Sequence, residues 1–178
     1  MSYRMRLYLD RMQQFDCNVC VAVNHTSQYV LIRDCFRCVS RLGDGVFWYS
    51  LMFGILMVQG KEGVIPVLHM AIAGLVGTLL YKWLKGQTLR LRPYAVRPDI
   101  CLIGRPLDKF SFPSGHTLHA VVFSTVALSY YPQLSIIVLP FTVMVGLSRV
   151  VLGLHYPSDV VAGALIGGLI AGLSFLIV

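Results

Sequence analysis

The chain has 178 residues, of which 56% are hydrophobic and 13% are charged, against about a quarter charged in soluble proteins. A water-soluble globule of this length could not bury so much apolar surface, so the composition excludes that class and predicts a single membrane domain. The formal net charge of +7 predicts an anionic partner, either acidic lipid headgroups or a phosphorylated substrate, and no nucleic acid, because no basic recognition helix interrupts the apolar runs.

Residues 1–45 are of mixed polarity and are predicted to form an N-terminal amphipathic segment. Arg33, Arg37 and Arg41 recur at four-residue spacing among apolar residues, which is typical of a helix lying along a membrane surface. Residues 17–32 contain no charged side chain but several polar ones, so they make a poor membrane span. We expect no removable signal peptide, since charged residues precede the first apolar stretch and no small-residue cleavage pattern follows it.

Two Cys-x2-Cys pairs occur in this segment, Cys17 with Cys20 and Cys35 with Cys38. Such pairs are found in zinc ribbons. They also arise from one apolar stripe along a helix, because residues three apart share a face and the two pairs are five turns apart. A zinc site also needs tight turns that contain glycine, which are missing here. We therefore favour the helical interpretation and expect no bound metal.

Residues 46–178 are predicted to form an all-α bundle of membrane helices. The candidate spans are residues 46–60, residues 64–84, the two halves of residues 110–148, and residues 160–178. Tyr131-Pro132-Gln133 divides the uncharged stretch 110–148 into a helical hairpin, and glycines in the last span predict close helix packing. The predicted fold is an integral membrane helical bundle of five spans, or six if residues 17–32 cross, with the amphipathic helix on its surface.

Residues 85–113 form a long loop of this core that is rich in cations and prolines. The hairpin crosses the membrane twice, so after residue 148 the chain returns to the side on which this loop lies. The sequence therefore predicts one site built from the loop and the neighbouring helix ends, with Lys85, Arg92, Ser114, Gly115, His116, Arg149, His155 and Asp159.

These residue types suit phosphoryl transfer. Cations and backbone donors stabilise the negative charge that spreads over the oxygens of a phosphoryl group in the transition state. Ser114 and Gly115 follow Pro113 at the start of a predicted helix, where free N–H groups and the helix dipole favour an anion. No cluster of carboxylates accompanies the cations, so we expect a metal-independent reaction without a cofactor.

The set resembles the signature of the type 2 phosphatidic acid phosphatase family, the lipid phosphate phosphatases related to vanadium haloperoxidases. The matches are Lys85 and Arg92-Pro93 to Lys-x6-Arg-Pro, Pro113-Ser114-Gly115-His116 to Pro-Ser-Gly-His, and Ser148-Arg149 with His155 and Asp159 to Ser-Arg-x5-His-x3-Asp. All three parts occur in the order of the family signature. They cover residues 85–159, and residues 1–45 carry no part of the signature.

The resemblance implies a reaction in two steps. His155 is the nucleophile and forms a phosphohistidine, which water then hydrolyses. Asp159 accepts a hydrogen bond from the other imidazole nitrogen, while His116 protonates the leaving oxygen and then activates the water. The residues that bind the substrate phosphate are Lys85, Arg92, Ser114, Gly115 and Arg149.

The resemblance also implies a lipid phosphatase of the bacterial inner membrane. Its substrate would be a polyprenyl diphosphate, such as undecaprenyl diphosphate, or a phospholipid phosphate monoester, such as phosphatidylglycerophosphate or phosphatidate. The alternatives are a lipid A phosphatase, a lipid-to-lipid phosphotransferase, and a phosphatase of a soluble phosphate ester. We favour a site that faces the periplasm, and this orientation requires residues 17–32 to cross the membrane as a sixth span. If only five spans cross, the positive-inside tendency places the site in the cytoplasm.

Some polar residues lie outside the signature. His69 is expected to bond another helix, and His119 either lines the site or packs elsewhere. The remaining cations of the loop, Arg90, Arg97, Arg105 and Lys109, are expected to contact lipid headgroups or solvent.

Overall fold

The described residues form helices and connecting loops, which confirms the all-α prediction. The structure is a computed structural model and describes residues 3–106 and 108–177. Its helices are α1 (Tyr3–His25), α2 (Val30–Arg41), α3 (Phe47–Gln59), α4 (Val64–Thr88), α5 (Pro93–Val96), α6 (Gly115–Tyr130), α7 (Ser135–Val151) and α8 (Pro157–Ser174).

Three helical stretches are long and apolar enough to cross a membrane, namely Val30–Thr88, Pro132–Val151 and Pro157–Ser174. Within the described residues this is fewer than the five or six predicted spans, for two physical reasons. The first stretch runs through α2, α3 and α4 without an extended segment between them. In addition, α6 has 16 residues, whereas a helix needs about 20 to cross the hydrocarbon core.

Residues 17–32 do not form one helix. The first helix ends at His25, a short 3-10 turn follows, and α2 begins at Val30. The prediction of one apolar stripe through both cysteine pairs is therefore wrong: Cys17 and Cys20 are buried on α1, while the cysteines of the second pair, on α2, are exposed. In the described part of the chain, no group of three or more His, Cys, Asp or Glu could hold a metal ion.

The second helix has the amphipathic character that the arginine spacing predicts. Asp34 lies between Arg33 and Arg37 on its polar side, with N–O distances of 3.4 and 3.5 Å. Its other side packs against α7, where the buried Ser40 accepts a hydrogen bond from Arg149. The location of α2 on a membrane surface stays a prediction.

Small residues bring α6 and α8 into close contact, as the glycines of the last span predict. A Cβ atom on Gly163 would lie 2.5 Å from the carbonyl oxygen of Ser114, and one on Gly167 would lie 2.6 Å from that of Leu118. Both distances are shorter than any van der Waals contact, so only glycine allows this approach. As a result, the start of α6 lies beside the start of α8, and the Ser114 N–H donates to the Asp159 carbonyl at 3.0 Å.

The first helix is part of the same folded unit. The Asn24 side-chain amide donates to the carbonyl oxygens of Cys101 and Val151, both at 2.9 Å, and its oxygen accepts from the Cys101 N–H at 2.8 Å. These bonds join α1 to the long loop and to the end of α7. His69 is buried on α4 and bonds Tyr130 on α6 and Ser174 on α8, which confirms its predicted interhelical role.

Candidate active site

A cavity of about 420 Å³ opens between α3, α4 and α6 and is closed by the end of α7. Its charged and imidazole-bearing lining residues are Asp44, Lys85, Arg92, Asp108, His116, His119, Arg149 and His155. Its apolar and aromatic lining includes Trp48, Tyr49, Met52, Leu75 and Phe123. Six of the eight predicted site residues line the cavity, and the other two, Ser114 and Asp159, lie behind it.

His155 is buried in the short segment between α7 and α8. Its Nε2 lies 3.2 Å from Nη1 of Arg92, and because a guanidinium group only donates hydrogen bonds, Nε2 must accept. The imidazole proton therefore belongs to Nδ1, which faces Oδ2 of Asp159 at 3.6 Å. That separation is longer than a hydrogen bond, and Nδ1 has no hydrogen-bond partner among the described residues.

The environment of His155 keeps its imidazole neutral. Burial lowers the pKa of His155 well below its ordinary value of 6.5, and the positive charges of Arg92 and Arg149 lower it further. A neutral imidazole with an unprotonated nitrogen is the form that can attack phosphorus.

Lys85 and Arg92 are both buried, and both bind the carboxylate of Asp108. Lys85 Nζ donates to the two oxygens of Asp108 at 2.9 and 2.7 Å, and Arg92 Nη2 donates to Oδ1 at 2.9 Å. Burial alone would raise the pKa of Asp108, but the hydrogen bonds and charges of Lys85 and Arg92 outweigh it and lower the pKa. Two of the cations predicted to bind phosphate therefore bind an ionised side chain of the same chain. Asp108 belongs to no motif that would distinguish it in the sequence.

Arg149 is buried near the end of α7 and lines the cavity. Its Nη1 donates to Ser40 Oγ at 2.8 Å, while its Nε has no hydrogen-bond partner in the described part of the chain. A buried cationic donor without an acceptor is costly unless an anion supplies the missing contact. The position of Arg149 thus fits an external anion.

His116 lies in the first turn of α6, and its Nε2 bonds the carboxylate of Asp44. Asp44 belongs to the Gly43-Asp44-Gly45 segment, where Gly45 has a φ of 141° that few other residues adopt. The two glycines predict a turn at this point of the sequence. An acid flanked by glycines is the feature of the sequence that points to Asp44.

The start of α6 provides backbone donors to the cavity. Gly115 lines it, and a Cβ atom at this position would lie 3.3 Å from the Tyr81 ring. The N–H groups of Gly115 and His116 occupy the first turn, where a helix supplies no acceptor of its own. Ser114 is the N-cap instead: its hydroxyl bonds Thr117 at 2.9 Å, so its contact with phosphate stays a prediction.

Arg90 is not a headgroup or solvent contact, which corrects the expectation from the sequence. Its Nη1 donates to Asp159 Oδ1 and its Nη2 to Asp16 Oδ2, both at 2.7 Å. Arg97, in the same loop, pairs with Asp99 on the exposed surface, as a solvated loop residue would. His119 lines the cavity, with Nε2 placed 2.9 Å from Thr78 Oγ1.

Comparison with known proteins gives a family match and several relatives. The family model of the PAP2 superfamily matches residues 62–178. The chain is 33% identical over 140 residues to the undecaprenyl-diphosphatase of Sulfolobus acidocaldarius and 31% identical over 127 residues to the bacitracin transport permease protein BcrC of Bacillus licheniformis. It is 30% identical over 137 residues to phosphatidylglycerophosphatase B of Bacillus subtilis. These alignments cover 76%, 69% and 71% of this chain but only 66%, 62% and 59% of the relatives.

Two solved structures resemble the fold. The crystal structure of Aquifex aeolicus LpxE matches with a TM-score of 0.76 and 29% identity, covering 89% of this chain and 93% of that chain. The transmembrane PAP2-type phosphatidylglycerolphosphate phosphatase of Bacillus subtilis matches with a TM-score of 0.66 and 26% identity, covering 94% of this chain and 86% of that chain.

Proposed function

The chain belongs to the PAP2 superfamily, and from this premise we propose that it is an integral membrane phosphatase that hydrolyses a lipid phosphate through a phosphohistidine on His155. The observation that carries the proposal is the buried imidazole of His155, whose unprotonated Nε2 lies beside Arg92 in a cavity lined by cations and apolar side chains. This arrangement combines a nucleophile, a charged phosphate-binding region and room for an amphiphile.

In the first step, Nε2 of His155 attacks phosphorus. The N–P bond forms as the bond from phosphorus to the leaving oxygen breaks, and His116 supplies a proton to that oxygen. Lys85, Arg92 and Arg149 stabilise the negative charge on the remaining phosphoryl oxygens. The ring of the phosphorylated His155 is positive, and Asp159 beside Nδ1 stabilises that charge.

In the second step, water attacks the phosphohistidine. His116 takes a proton from the water, the new O–P bond forms, and the N–P bond breaks to return neutral His155 and release phosphate. The proposed role of Asp44, bonded to His116 Nε2, is to hold this imidazole toward the cavity. No step needs a metal ion.

Substrate binding requires the carboxylate of Asp108 to leave the position that it shares with Lys85 and Arg92. We expect Asp108→Asn to lower the inhibition constant of inorganic phosphate about tenfold, because a neutral amide competes less well for the two cations. The inhibition constant is measured in a steady-state assay with a fixed substrate. Asp99→Asn, which alters an exposed pair with Arg97, serves as the control and should leave it unchanged. Equal inhibition of Asp108→Asn and wild type would contradict competition by Asp108.

The cavity supports an amphiphilic substrate. Its apolar lining, with Trp48, Met52 and Leu75 among others, offers no partner to a small soluble ester but suits an acyl or prenyl chain. We propose a polyprenyl diphosphate, such as undecaprenyl diphosphate, or a phospholipid phosphate monoester, such as phosphatidylglycerophosphate or phosphatidate. A lipid A phosphate is the second candidate, and the likeness to the lipid A 1-phosphatase of Rhizobium etli, 38% identical over 58 residues, favours it.

The proposed membrane arrangement has five crossing helices, α3, α4, α6, α7 and α8. Since α3 and α6, with 13 and 16 residues, are shorter than a full span of about 20 residues, each crosses the hydrocarbon core together with the turns that flank it. The start of α3, the end of α4, the start of α6, the end of α7 and the start of α8 all contribute residues to or next to the cavity, as alternating crossings require. We propose that the protein lies in a bacterial inner membrane and that α2 lies along the membrane surface. With these five crossings the positive-inside tendency places the site on the cytoplasmic side, and the periplasmic site expected from the sequence requires residues 17–32 to cross as well. Cysteine labelling at the exposed Lys61 and Lys109 positions, on opposite sides in this arrangement, tests the orientation in intact cells.

The proposed function is tested by phosphate release from a substrate panel. Purified protein in mixed micelles is given undecaprenyl diphosphate, phosphatidylglycerophosphate, phosphatidate, lipid A or a soluble phosphate ester, each with and without EDTA. We expect release from at least one lipid at a rate well above that from the soluble ester, and no effect of EDTA, since the proposed steps use only side chains of the chain.

Each alternative has its own outcome in this experiment. Preference for the soluble ester would favour a soluble-substrate phosphatase, and transfer of labelled phosphate to a second lipid would favour a phosphotransferase. Loss of activity in EDTA would contradict the metal-independent reaction. Absence of phosphate release from every substrate would overturn the proposed function.

A further inference from the structure

A chain of ionic contacts runs from α1 to the rear of the cavity. The Arg90 guanidinium joins two carboxylates, with Nη1 donating to Asp159 and Nη2 donating to Asp16, each at 2.7 Å. It also stacks over the ring of Tyr156, with 4.1 Å between the guanidinium carbon and the ring centroid. A planar guanidinium with two separate forks can hold two carboxylates in fixed relative positions, which an ammonium cannot do.

These contacts determine the orientation of the Asp159 carboxylate. Oδ1 accepts from Arg90, while Oδ2 accepts from the Tyr156 N–H at 2.9 Å. With one donor fixed on each oxygen, rotation of the carboxylate is restricted, and Oδ2 is left facing Nδ1 of His155 at 3.6 Å. Hydrogen bonds of catalytic groups are often long in the absence of substrate and shorten in the complex, so this geometry suits an acceptor for the His155 proton.

Asp16 holds the other end of Arg90. It is buried on α1, its Oδ1 accepts from the Ser158 N–H at 3.1 Å, and its Oδ2 accepts from the Ser158 hydroxyl. Arg90 in turn donates to the same hydroxyl at 2.8 Å. Asp16 therefore ties α1 to the first turn of α8, and this contact places the guanidinium directly against Asp159.

The charges of this group also suit the reaction. Asp16 and Asp159 contribute two negative charges and Arg90 one positive charge, so the group has an excess negative charge beside His155. Such an excess favours the positive ring of a phosphohistidine over the neutral imidazole. Neither Arg90 nor Asp16 lines the cavity, so neither contacts a substrate phosphate bound there.

We propose that Arg90 and Asp16 are positioning residues that orient the Asp159 carboxylate toward His155, so that α1 takes part in aligning the nucleophile. The inference rests on the proposed function, because it assigns a task to the Asp159–His155 pair. It concerns a part of the chain, α1, that lies outside both the three-part signature and the residues that the family model matches.

The experiment compares Arg90→Gln, Asp16→Asn, Asp159→Asn and the double variant Arg90→Gln/Asp159→Asn with the wild type. We expect Arg90→Gln to lower kcat about a hundredfold and the isosteric Asp16→Asn about tenfold, with KM and the inhibition constant of inorganic phosphate within twofold of wild type. If Arg90 acts only through Asp159, the double variant should be no slower than Asp159→Asn alone. Arg97→Gln, which removes an exposed loop arginine, is the control and should keep wild-type kinetics.

A purely structural role gives a different result. The inference would be overturned if the loss of kcat in the double variant were the product of the losses in the two single variants. It would also be overturned if the inhibition constant of phosphate changed along with kcat, or if Arg90→Gln kept the wild-type kcat. If Arg90→Gln does not fold or Asp159→Asn has no measurable activity, Asp16→Asn alone tests the inference. A lower kcat with KM within twofold of wild type supports it, and any other result overturns it. An inactive wild type would instead overturn the proposed function and the inference with it.

Discussion

We expect His155→Ala to lower phosphate release at least about a thousandfold, because the variant lacks the nitrogen that would form the covalent intermediate. The wild type given a lipid phosphate labelled with ³²P and quenched within one turnover should carry label that is stable in alkali and lost in acid, as a phosphoramidate is. His155→Ala should carry none. Both the rate and the label are measured on protein that elutes as a single species.

A second buried histidine provides the control for this variant. His69 lies in the same bundle and bonds Tyr130 and Ser174 at 3.1 and 2.7 Å, away from the cavity. We expect His69→Gln to lower the temperature of unfolding and to keep the activity and the label per folded molecule. Label in His155→Ala equal to that of the wild type would place the covalent intermediate on another residue.

We expect His116→Gln to slow hydrolysis of a lipid phosphate about a hundredfold to ten-thousandfold, because both proposed proton transfers require an imidazole. An activated aryl phosphate should separate the two transfers, since its leaving oxygen needs no proton. With that substrate, His116→Gln should release one equivalent of the aryl alcohol per enzyme in a burst and then accumulate phosphohistidine, because no base activates water.

The burst is measured by stopped flow, and the accumulated intermediate by ³²P label. His119→Gln is a useful comparison, because His119 lies one turn farther along α6 and bonds Gly115 and Thr78. It should show no burst and no accumulation of label. Equal slowing of the aryl and lipid substrates by His116→Gln, without accumulation of label, would contradict the assignment of His116 as acid and base.

The sequence predicts the proximity of those candidate-site residues that are close together along the chain. Arg149, His155 and Asp159 lie within one helix end, one connection and one helix start, so their spacing predicts that they meet. The long loop and the helical hairpin predict that Lys85, Arg92 and His116 approach this group. In the structure the residues that line one cavity include Lys85, Arg92, His116, Arg149 and His155, while their roles in catalysis stay a prediction.

The partners of these residues could not be predicted, because they depend on how distant helices pack. Asp44, Asp108 and Asp16 are single acids without a motif, and each finds its cation or imidazole only after the bundle has formed. In the sequence Arg90 is one of several cations of a polar loop, yet the contact between α1 and α8 brings together two buried carboxylates that both accept from its guanidinium. The number of crossings was likewise hard to predict, since α2, α3 and α4 continue into one another.

Residues before position 62, where the match to the family model begins, supply partners to residues of the candidate site. This affects where the boundary of the catalytic unit should be drawn. A boundary placed where the family model begins would remove Asp44 from the wall of the cavity, Ser40 from Arg149 and Asp16 from Arg90. A gene fragment that encodes only the matched region would keep every residue of the signature and would still leave two arginines and a histidine without their partners. A complete signature therefore does not by itself indicate an intact enzyme in this chain. Truncated homologous reading frames should be judged by whether they retain the counterparts of Asp16, Ser40 and Asp44.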